Sequence, residues 1–181
     1  MKKAIAFLLS IVVFGCTQST VSNESVNSTV SQSTPTTNRS TNPPKFIDFN
    51  YKDVRLGDNE NEVLKRLGKP IRRRTAKIDD CGVEEALVLS YRDVEIQLDR
   101  DQAGKYYVLE IHVSGTNTDL EPGIKIGDSY KEIKDKLGEP YTQKQEKEEM
   151  LVFYLIRDDD NALLVFRNDK LIRVRLYFNP C

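Results

Sequence analysis

The feature of this sequence that most restricts its fold is an internal repeat. The segment VRLGDNENEVLKRLGKP, which begins at Val54, returns without gaps as IKIGDSYKEIKDKLGEP at Ile124. Equivalent residues lie 70 positions apart, as Gly57 and Gly127 show. Self-similarity at a fixed period indicates that one supersecondary unit is used more than once. The sequence therefore predicts two tandem units with the same local structure.

Each copy is typical of a short helix with a defined beginning and end. Asn59 and Ser129 occupy the N-cap position, and a glutamate follows each of them three residues later. This pattern is a capping box, in which each side chain accepts a backbone N–H group that the helix leaves free. Leu-Gly-Xaa-Pro then closes each copy, because glycine suits the position after a helix and proline cannot continue it. We expect Leu67 and Leu137 to be core residues at equivalent helix positions.

Strand patterns follow both helices, after a charged stretch in each copy. The candidate strands are ALVLSY, VEIQLD and YYVLEIHV in the first copy and MLVFYLI, ALLVFR and LIRVRLYF in the second. Turn residues separate them, which favours antiparallel hairpins. The predicted fold is α+β: two helix-then-strands repeats, about residues 46–115 and 116–181, form a sheet with the helices packed on one face.

The first 45 residues are not expected to join this fold. Lys2 and Lys3 precede an apolar run, so residues 1–15 have the pattern of an export signal. The run ends in VVFGC, which resembles the site where bacterial lipoproteins are cleaved and acylated at the cysteine, here Cys16. An ordinary secretory signal that is cut elsewhere is the alternative. The Ser-, Thr-, Asn- and Pro-rich residues 16–45 are expected to be a disordered tether to a folded domain at 46–181.

Two further cysteines lie within the predicted domain. Cys81 precedes the first group of strands, and Cys181 is the last residue. Disulfides persist in exported proteins, so we expect a bridge between them, with two free thiols as the alternative. By resemblance to the sorting of bacterial lipoproteins, Thr17 after the acylated cysteine indicates an outer-membrane location facing the periplasm.

A search for catalytic, metal or cofactor motifs finds little. His112 is the single histidine, no zinc spacing or nucleotide-binding loop occurs, and tryptophan is absent. The formal net charge is −1, with both signs mixed along the chain, so nucleic acid is not an expected partner. Arg72 to Arg74 form one basic cluster, which suits an edge strand or contact with anionic lipid head groups. The sequence favours a binding protein without metal or cofactor over an enzyme.

The repeated segment resembles a group of small envelope proteins. A glycine, a capping residue, a β-branched helix residue and Leu-Gly-Xaa-Pro stand ahead of antiparallel strands in both GDNENEVLKRLGKP and its copy. This pattern is similar to that of the secreted β-lactamase inhibitor proteins, which carry the unit twice, and of the small lipoprotein of the outer-membrane β-barrel assembly machinery. The resemblance implies the tandem fold and a role in binding another envelope protein, in outer-membrane assembly or maintenance.

Strand periodicity predicts that the two repeats differ on the sheet face that the helices leave free. Residues expected under the helices are Val94, Ile96, Leu98, Leu109, Ile111 and Val113 in repeat one, and Val152, Tyr154, Leu164, Phe166, Val174 and Leu176 in repeat two. The opposite set is polar in repeat one and apolar in repeat two. Since exposed apolar patches are uncommon on monomers, the second repeat is expected to be covered internally, by Phe46, Phe49 and Tyr51 or the other repeat, or to bind a partner.

The preferred function is a lipid-anchored envelope protein that binds another protein through this face. Its predicted binding residues are Phe153, Leu155, Leu163, Val165, Arg173, Arg175 and Tyr177 from repeat two and Glu95, Glu110 and His112 from repeat one. We expect these residues to form a surface that is acidic at one end and both basic and apolar at the other. Homodimerisation through the same face, a periplasmic enzyme or ligand binder using a carboxylate pair, and a purely structural lipoprotein remain open.

Overall fold

Both helices begin at the capping boxes that the sequence predicts. The computed structural model describes residues 38–39, 45–80, 83–116, 118–157 and 160–178, all within one unit, Thr34–Cys181. Helix α1 spans Glu60–Leu67, and helix α2 spans Tyr130–Leu137. In both helices the N-cap side chain accepts the backbone N–H of the third helical residue, whose carboxylate accepts the N-cap backbone N–H. The signal peptide, Cys16, Cys81 and Cys181 lie outside the described residues, so those assignments stay predictions.

The glycine after each helix adopts a backbone conformation that other residues avoid. Gly68 has φ 76° and ψ −161°, and Gly138 has φ 89° and ψ −166°. This region is essentially restricted to glycine. The same turn therefore redirects the chain from both helices into the strands that follow.

Each of the two helices is followed along the chain by four strands of the main sheet. The strands are β1 (Asn38–Arg39), β2 (Arg72–Asp80), β3 (Val83–Ser90), β4 (Val94–Arg100), β5 (Tyr106–Val113), β6 (Asp119–Leu120), β7 (Ile124–Lys125), β8 (Thr142–Glu146), β9 (Glu149–Leu155), β10 (Asp160–Arg167) and β11 (Lys170–Phe178). We call α1 with β2–β5 the first half, and α2 with β8–β11 the second half. Strand β1 falls within the predicted tether, and it pairs with β8 at the sheet edge.

The two halves share one antiparallel sheet. Its strand order is β1-β8-β9-β10-β11-β5-β4-β3-β2, and β6 and β7 form a separate pair. The last strand of each half therefore lies at the centre, where Val174 of β11 is opposite Val113 of β5. We call this pairing of β5 with β11 the seam. Because the seam joins the ends of both halves, side chains far apart in the sequence become direct neighbours there.

The core lies between the sheet and the two helices. Val63 and Ile133, from α1 and α2, are fully buried in one cluster with inward-facing strand residues of both halves. All six residues expected under the helices in the second half are buried. The expectation for the helices was wrong at one position, since Leu137 is 3% exposed whereas Leu67 is only half-buried at the margin of the cluster.

A bulge corrects the prediction for one inward residue of the first half. The register between β4 and β5 shifts after Gln97, so that Leu98 lies opposite Val108. Val108 is buried and takes the core position that strict alternation assigned to Leu109, which is half-buried. A bulge adds one residue to a strand and so reverses the faces beyond it, which simple periodicity cannot anticipate.

The segment before α1 packs on the helix side of the sheet. Phe49 and Tyr51 are buried in the core cluster, and the Phe49 ring lies 6.2 Å from that of Tyr154, an inward-facing residue. Phe46, half exposed, forms a parallel bridge with Leu155. The expectation that these residues cover the opposite face of the sheet was therefore wrong. In the described part of the chain, no helix has the length and apolar character needed to cross a bilayer.

Candidate protein-binding face

Cross-strand register brings the predicted binding residues onto one surface. We call the sheet face opposite the helices the outer face. Its central row runs, through directly paired residues, across Phe153, Leu163, Arg175, His112 and Glu95. Residues paired in this way project from the same face of an antiparallel sheet. The seam is thus what joins the apolar residues of the second half to the polar residues of the first.

Two further rows flank the central one. One row contains Leu155, Asn161, Tyr177, Glu110 and Gln97, and the other contains Leu151, Val165 and Arg173. All ten residues predicted from sequence therefore lie on the outer face. Sequence periodicity alone placed them on equivalent faces of separate strands, and the pairing across the seam makes them neighbours.

An ion pair between a buried glutamate and a partly exposed arginine crosses the seam. The Nε and Nη2 atoms of Arg175 donate to the two carboxylate oxygens of Glu110, the second at 2.8 Å. The Glu110 side chain is 7% exposed and that of Arg175 is 37% exposed. A bidentate arginine–carboxylate pair fixes both side chains more firmly than a single contact does. It also explains how a glutamate can be buried on an outward-facing position.

This pair corrects the expected charge distribution of the surface. The acidic and basic residues were expected at opposite ends of the face. The register instead places Glu110 beside the basic side chain of Arg175, so these two charges neutralise each other at the centre. The outer face therefore has a charge-paired centre, with its apolar area displaced toward the second half.

His112 lies in the same cluster, in contact with the Glu110 carboxylate through Nε2. Two influences on its imidazole oppose each other. Burial lowers the pKa of His112 below its ordinary value, and the negative charge of Glu110 raises it, with burial the larger influence. The shared Arg175 guanidinium adds to the lowering. At neutral pH the imidazole is therefore neutral and contributes hydrogen bonding rather than charge.

Tyr177 completes the centre of the face. The Arg175 guanidinium stacks on the Tyr177 ring, and its Cζ atom lies 4.9 Å from the ring centroid. This stacking restricts both side chains before any partner arrives. Burial raises the pKa of the Tyr177 hydroxyl above its ordinary value, so the phenol remains protonated and able to donate a hydrogen bond.

The apolar patch of the second half is partly accessible. We define it as Leu151, Phe153, Leu155, Leu163 and Val165. Val165 and Leu151 are buried, at 0% and 8% exposure, whereas Phe153, Leu155 and Leu163 are half-buried. The patch therefore has a closed side and an open side, and the open side adjoins the charge-paired centre.

Sequence reasoning missed the charged residues around the patch. Glu149 accepts from Arg167 at 2.6 Å and lies 3.6 Å from Arg173. The Lys144 ammonium lies 6.0 Å from the centroid of the Phe153 ring. Lys144 and Glu149 belong to the hairpin of β8 and β9, whose first strand was interpreted only as a charged stretch. TQKQE contains no apolar residue, so apolar–polar alternation gave no signal that could have located it as a strand.

At the far side of the first half, Glu95 has partners of its own. It accepts from Arg74 at 3.3 Å and from the Ser90 hydroxyl at 3.2 Å. Glu95 therefore belongs to a second polar cluster on the outer face. The sequence identified it as an outward residue but not as a partner of the edge strand.

Comparison with known proteins finds only distant likenesses. No protein-family model matches the sequence, and no curated protein matches it. An extracellular protein containing a SCP domain from Bacillus anthracis str. Ames is similar over 77% of this chain and 50% of its own length, at 17% identity and a TM-score of 0.48. A proposed beta-lactamase inhibitor protein from Streptococcus mutans is similar over 70% of this chain and 86% of its own, at 18% identity and a TM-score of 0.30. The chain thus spans half the length of the first protein. With both TM-scores below 0.5, any function must be argued from this chain's own residues.

The buried acids do not form a carboxylate pair. Among the described residues, Glu110 and Asp160 are the buried carboxylates. Each is ion-paired with an arginine, Glu110 with Arg175 and Asp160 with Arg157. The described residues also contain no group of three metal-binding side chains.

Proposed function

We propose that this protein is a non-catalytic, lipid-anchored envelope protein that binds another protein through its outer face. The observation that carries the proposal is the apolar patch, whose open side adjoins the Arg175–Tyr177 pair. Interfaces draw most of their affinity from a few aromatic and arginine anchors that sit beside apolar area. The outer face offers Phe153, Tyr177 and Arg175 in adjoining positions across β9, β10 and β11.

Preorganisation supports this assignment. The Arg175 side chain is held on one side by Glu110 and on the other by the Tyr177 ring. A side chain that is already fixed loses little conformational freedom on binding, which leaves more of the contact energy as affinity. The partner's complementary surface should therefore present apolar area opposite Phe153 and an acceptor opposite the exposed part of Arg175.

The proposal includes a duplicated unit, because equivalent contacts recur in both halves. The N–H of Gly57 donates to the carbonyl of Val108 at 2.8 Å, and the N–H of Gly127 donates to that of Leu171 at 2.8 Å. Arg66 pairs with Asp58, and Lys136 pairs with Asp128, at positions that the repeat makes equivalent. Each helix is thus fixed in the same way to the last strand of its own half.

The proposed anchor is Cys16, with residues 16–45 as the tether and an outer-membrane location facing the periplasm. The support is the basic and apolar start, the VVFGC sequence and the polar composition after it. Replacing Cys16 with alanine should leave an uncleaved or soluble chain. Unchanged membrane partitioning together with an unchanged mature mass would refute acylation.

A photo-crosslinking experiment in the native host tests the binding face. A photoreactive amino acid replaces Phe153 in the full chain, and the same amino acid replaces Lys131 in a control, since Lys131 is exposed on helix α2, on the other side of the sheet. We expect one discrete protein adduct at position 153 that is missing at position 131. Mass spectrometry of the adduct identifies the partner, whose affinity can then be measured with purified proteins.

The contrary results are distinct. Equal adducts at both positions would show that crosslinking reports abundance rather than a specific interface. An adduct that contains only a second copy of this chain would replace the heterologous partner with a homodimer. A free chain that is strongly destabilised by Phe153→Ala would mean that the patch is structural.

A further inference from the structure

One corner of the molecule carries an unbalanced positive charge. We define the cationic corner as residues 65–74, from the last turn of α1 to the start of β2. Within these ten residues the chain has six cations and no acid: Lys65, Arg66, Lys69, Arg72, Arg73 and Arg74. The whole chain is nearly neutral, so this concentration is local rather than a property of the composition.

An isoleucine projects from the middle of this corner. Ile71 is 77% exposed, whereas the other exposed large apolar residues, Phe46 and Phe178, are 50% and 44% exposed. Its backbone is nevertheless fixed, because its N–H donates to the Ser90 carbonyl at 2.9 Å. The Tyr91 hydroxyl donates to the Gly68 carbonyl at 3.1 Å and holds the turn that leads to it. The apolar side chain is therefore displayed on an ordered segment.

Among the described residues, half of these cations have no acidic partner. Arg66 pairs with Asp58, Arg73 with Glu60, and Arg74 with Glu95; these are the contacts made within the described residues. Lys65, Lys69 and Arg72 are exposed and make no ion pair with any described residue. Within the described residues, no ion pair therefore neutralises the charge of these three side chains.

The equivalent segment of the second half lacks both features. At the positions of Lys65, Lys69, Arg72 and Arg73 it carries Asp135, Glu139, Thr142 and Gln143. Ile71 is replaced by Tyr141, which is half-buried although its N–H makes the same kind of bond, to the Phe153 carbonyl at 2.9 Å. The shared turn therefore requires neither the positive charge nor the exposed isoleucine.

Protection of a sheet edge accounts for only part of the corner. Strand β2 is the last strand of the sheet, and arginines on an edge strand discourage pairing with other chains. This reason covers Arg72 to Arg74. It does not cover Lys65, Lys69 or Ile71, which lie before β2 begins.

We propose that the cationic corner docks on an anionic lipid surface. Lys65, Lys69 and Arg72 would meet lipid phosphates, since clusters of lysine and arginine bind anionic membranes through the negative surface potential. Ile71 would enter the boundary between head groups and acyl chains, where an isolated apolar side chain gains by leaving water. A protein interface would instead pair the isoleucine with further apolar residues, and the corner has none beside it that is equally exposed. This docking would set the orientation of the outer face relative to the membrane.

The absence of tryptophan from the chain provides a direct test. Ile71→Trp introduces a single reporter at the tip of the corner, and Tyr141→Trp introduces one at the equivalent position of the second half. Each full-length protein is reconstituted into phosphatidylcholine vesicles with or without phosphatidylglycerol. Because any lipid anchor acts equally in both vesicles, we expect the Ile71→Trp emission to shift to the blue and to be quenched by brominated lipid only when phosphatidylglycerol is present. The Tyr141→Trp emission should not respond.

A charge exchange then tests the cause. In the Ile71→Trp background, Lys69→Glu, Arg72→Thr and Arg73→Gln install the residues of the second half, and the shift should disappear. A matched control makes the same total charge change at the exposed lysines Lys105→Glu, Lys147→Gln and Lys170→Thr, and it should retain the shift. Salt near 1 M, where the Debye length is about 3 Å, should abolish the shift without altering the sequence.

Several results would overturn the proposal. An Ile71→Trp emission that is unshifted and unquenched in both vesicles would show that position 71 does not reach lipid, and one that shifts equally in both would show that anionic lipid is not required. A shift that survives the charge exchange or high salt would exclude the cations as its cause. The same shift with soluble polyglutamate in place of vesicles would assign the corner to an acidic protein instead of a membrane.

Discussion

The two halves of this protein place different chemistry on equivalent positions. Counting outward from the seam along the central row, Arg175, Leu163 and Phe153 of the second half correspond to His112, Glu95 and Ser90 of the first. At the turn after the helix the distinctive residues belong to the first half, which carries the cations and the exposed isoleucine. The helices, caps and strand pairing are common to both halves. The residues that the two halves share build the frame, and the two proposed binding surfaces lie where their residues differ.

The largest expected difference between the halves concerns one helix position. Leu137→Ala removes a buried side chain and should cost about 2–5 kcal/mol in the free energy of unfolding. Leu67→Ala should cost about 1 kcal/mol, because that side chain already contacts water. Urea denaturation of both variants measures the two values. Equal costs would mean that the two helices pack alike after all.

The next comparison is between two arginine–glutamate pairs: Arg175 with Glu110 at the seam, and Arg74 with Glu95 between β2 and β4. In a double-mutant cycle, Arg175→Met and Glu110→Gln should show a coupling of about 1–3 kcal/mol, since Glu110 is buried and its contacts are bidentate. The Arg74–Glu95 pair is about one-third exposed on both sides and longer, at 3.3 Å, so its coupling should be about 0.2–1 kcal/mol. A ranking in the opposite order would show that the seam does not depend on its ion pair.

Affinity for the partner should depend on the outer-face residues that differ between the two halves. Phe153→Ser gives the second half the residue of the first. It should weaken binding of the partner identified by crosslinking by more than about 1 kcal/mol, mainly through faster dissociation. Ser90→Ala, at the equivalent position, should leave the affinity unchanged. Isothermal titration with thermal melts of the free chains separates lost affinity from lost stability. An equal loss in both variants would locate the interface elsewhere.

The smallest expected effect is a pH dependence from His112. Its pKa in the folded state is below the ordinary 6.5, so the unfolded chain binds the proton more readily in the window just below that value. Stability should therefore rise with pH through this window and fall as the pH drops below 6.5, by the linkage between proton binding and folding. His112→Gln should flatten this part of the profile. Because His112 is the single histidine, its NMR signals can be followed without assignment, and a midpoint above 6.5 would contradict the prediction.

Much of the frame was predictable because it depends on short-range signals. The capping boxes at Asn59 and Ser129 fix where the helices begin, and alternation fixed the inward residues of the second half. The bulge that buries Val108 was not predictable, since a bulge follows from the pairing of two strands and not from either strand alone. The half-buried state of Leu67 likewise depends on what packs beside it. Local sequence patterns therefore predict the helices and strands, whereas tertiary packing determines how far the residues at their edges are buried.

The candidate site was predictable as a set of residues but not as a charge arrangement. Alternation correctly assigned Glu110, His112, Arg175 and Tyr177 to one face. Their mutual contacts arise from the seam, and no local pattern indicates that β5 pairs with β11 rather than with another strand. Sequence alone therefore separated two charges that the fold brings together.

The position of the seam has a consequence for synthesis of the chain. Strand β5 receives its second neighbour only when the chain is complete as far as β11, which ends at Phe178. Until then the first half presents Tyr106–Val113 as an unpaired edge that is mostly apolar, in contrast to the arginine-rich edge of β2. An open apolar edge is a template for pairing with other nascent chains. Translation that stops after the first half should thus yield a fragment that self-associates. In the complete chain, pairing with β11 covers this edge of β5 and prevents the association.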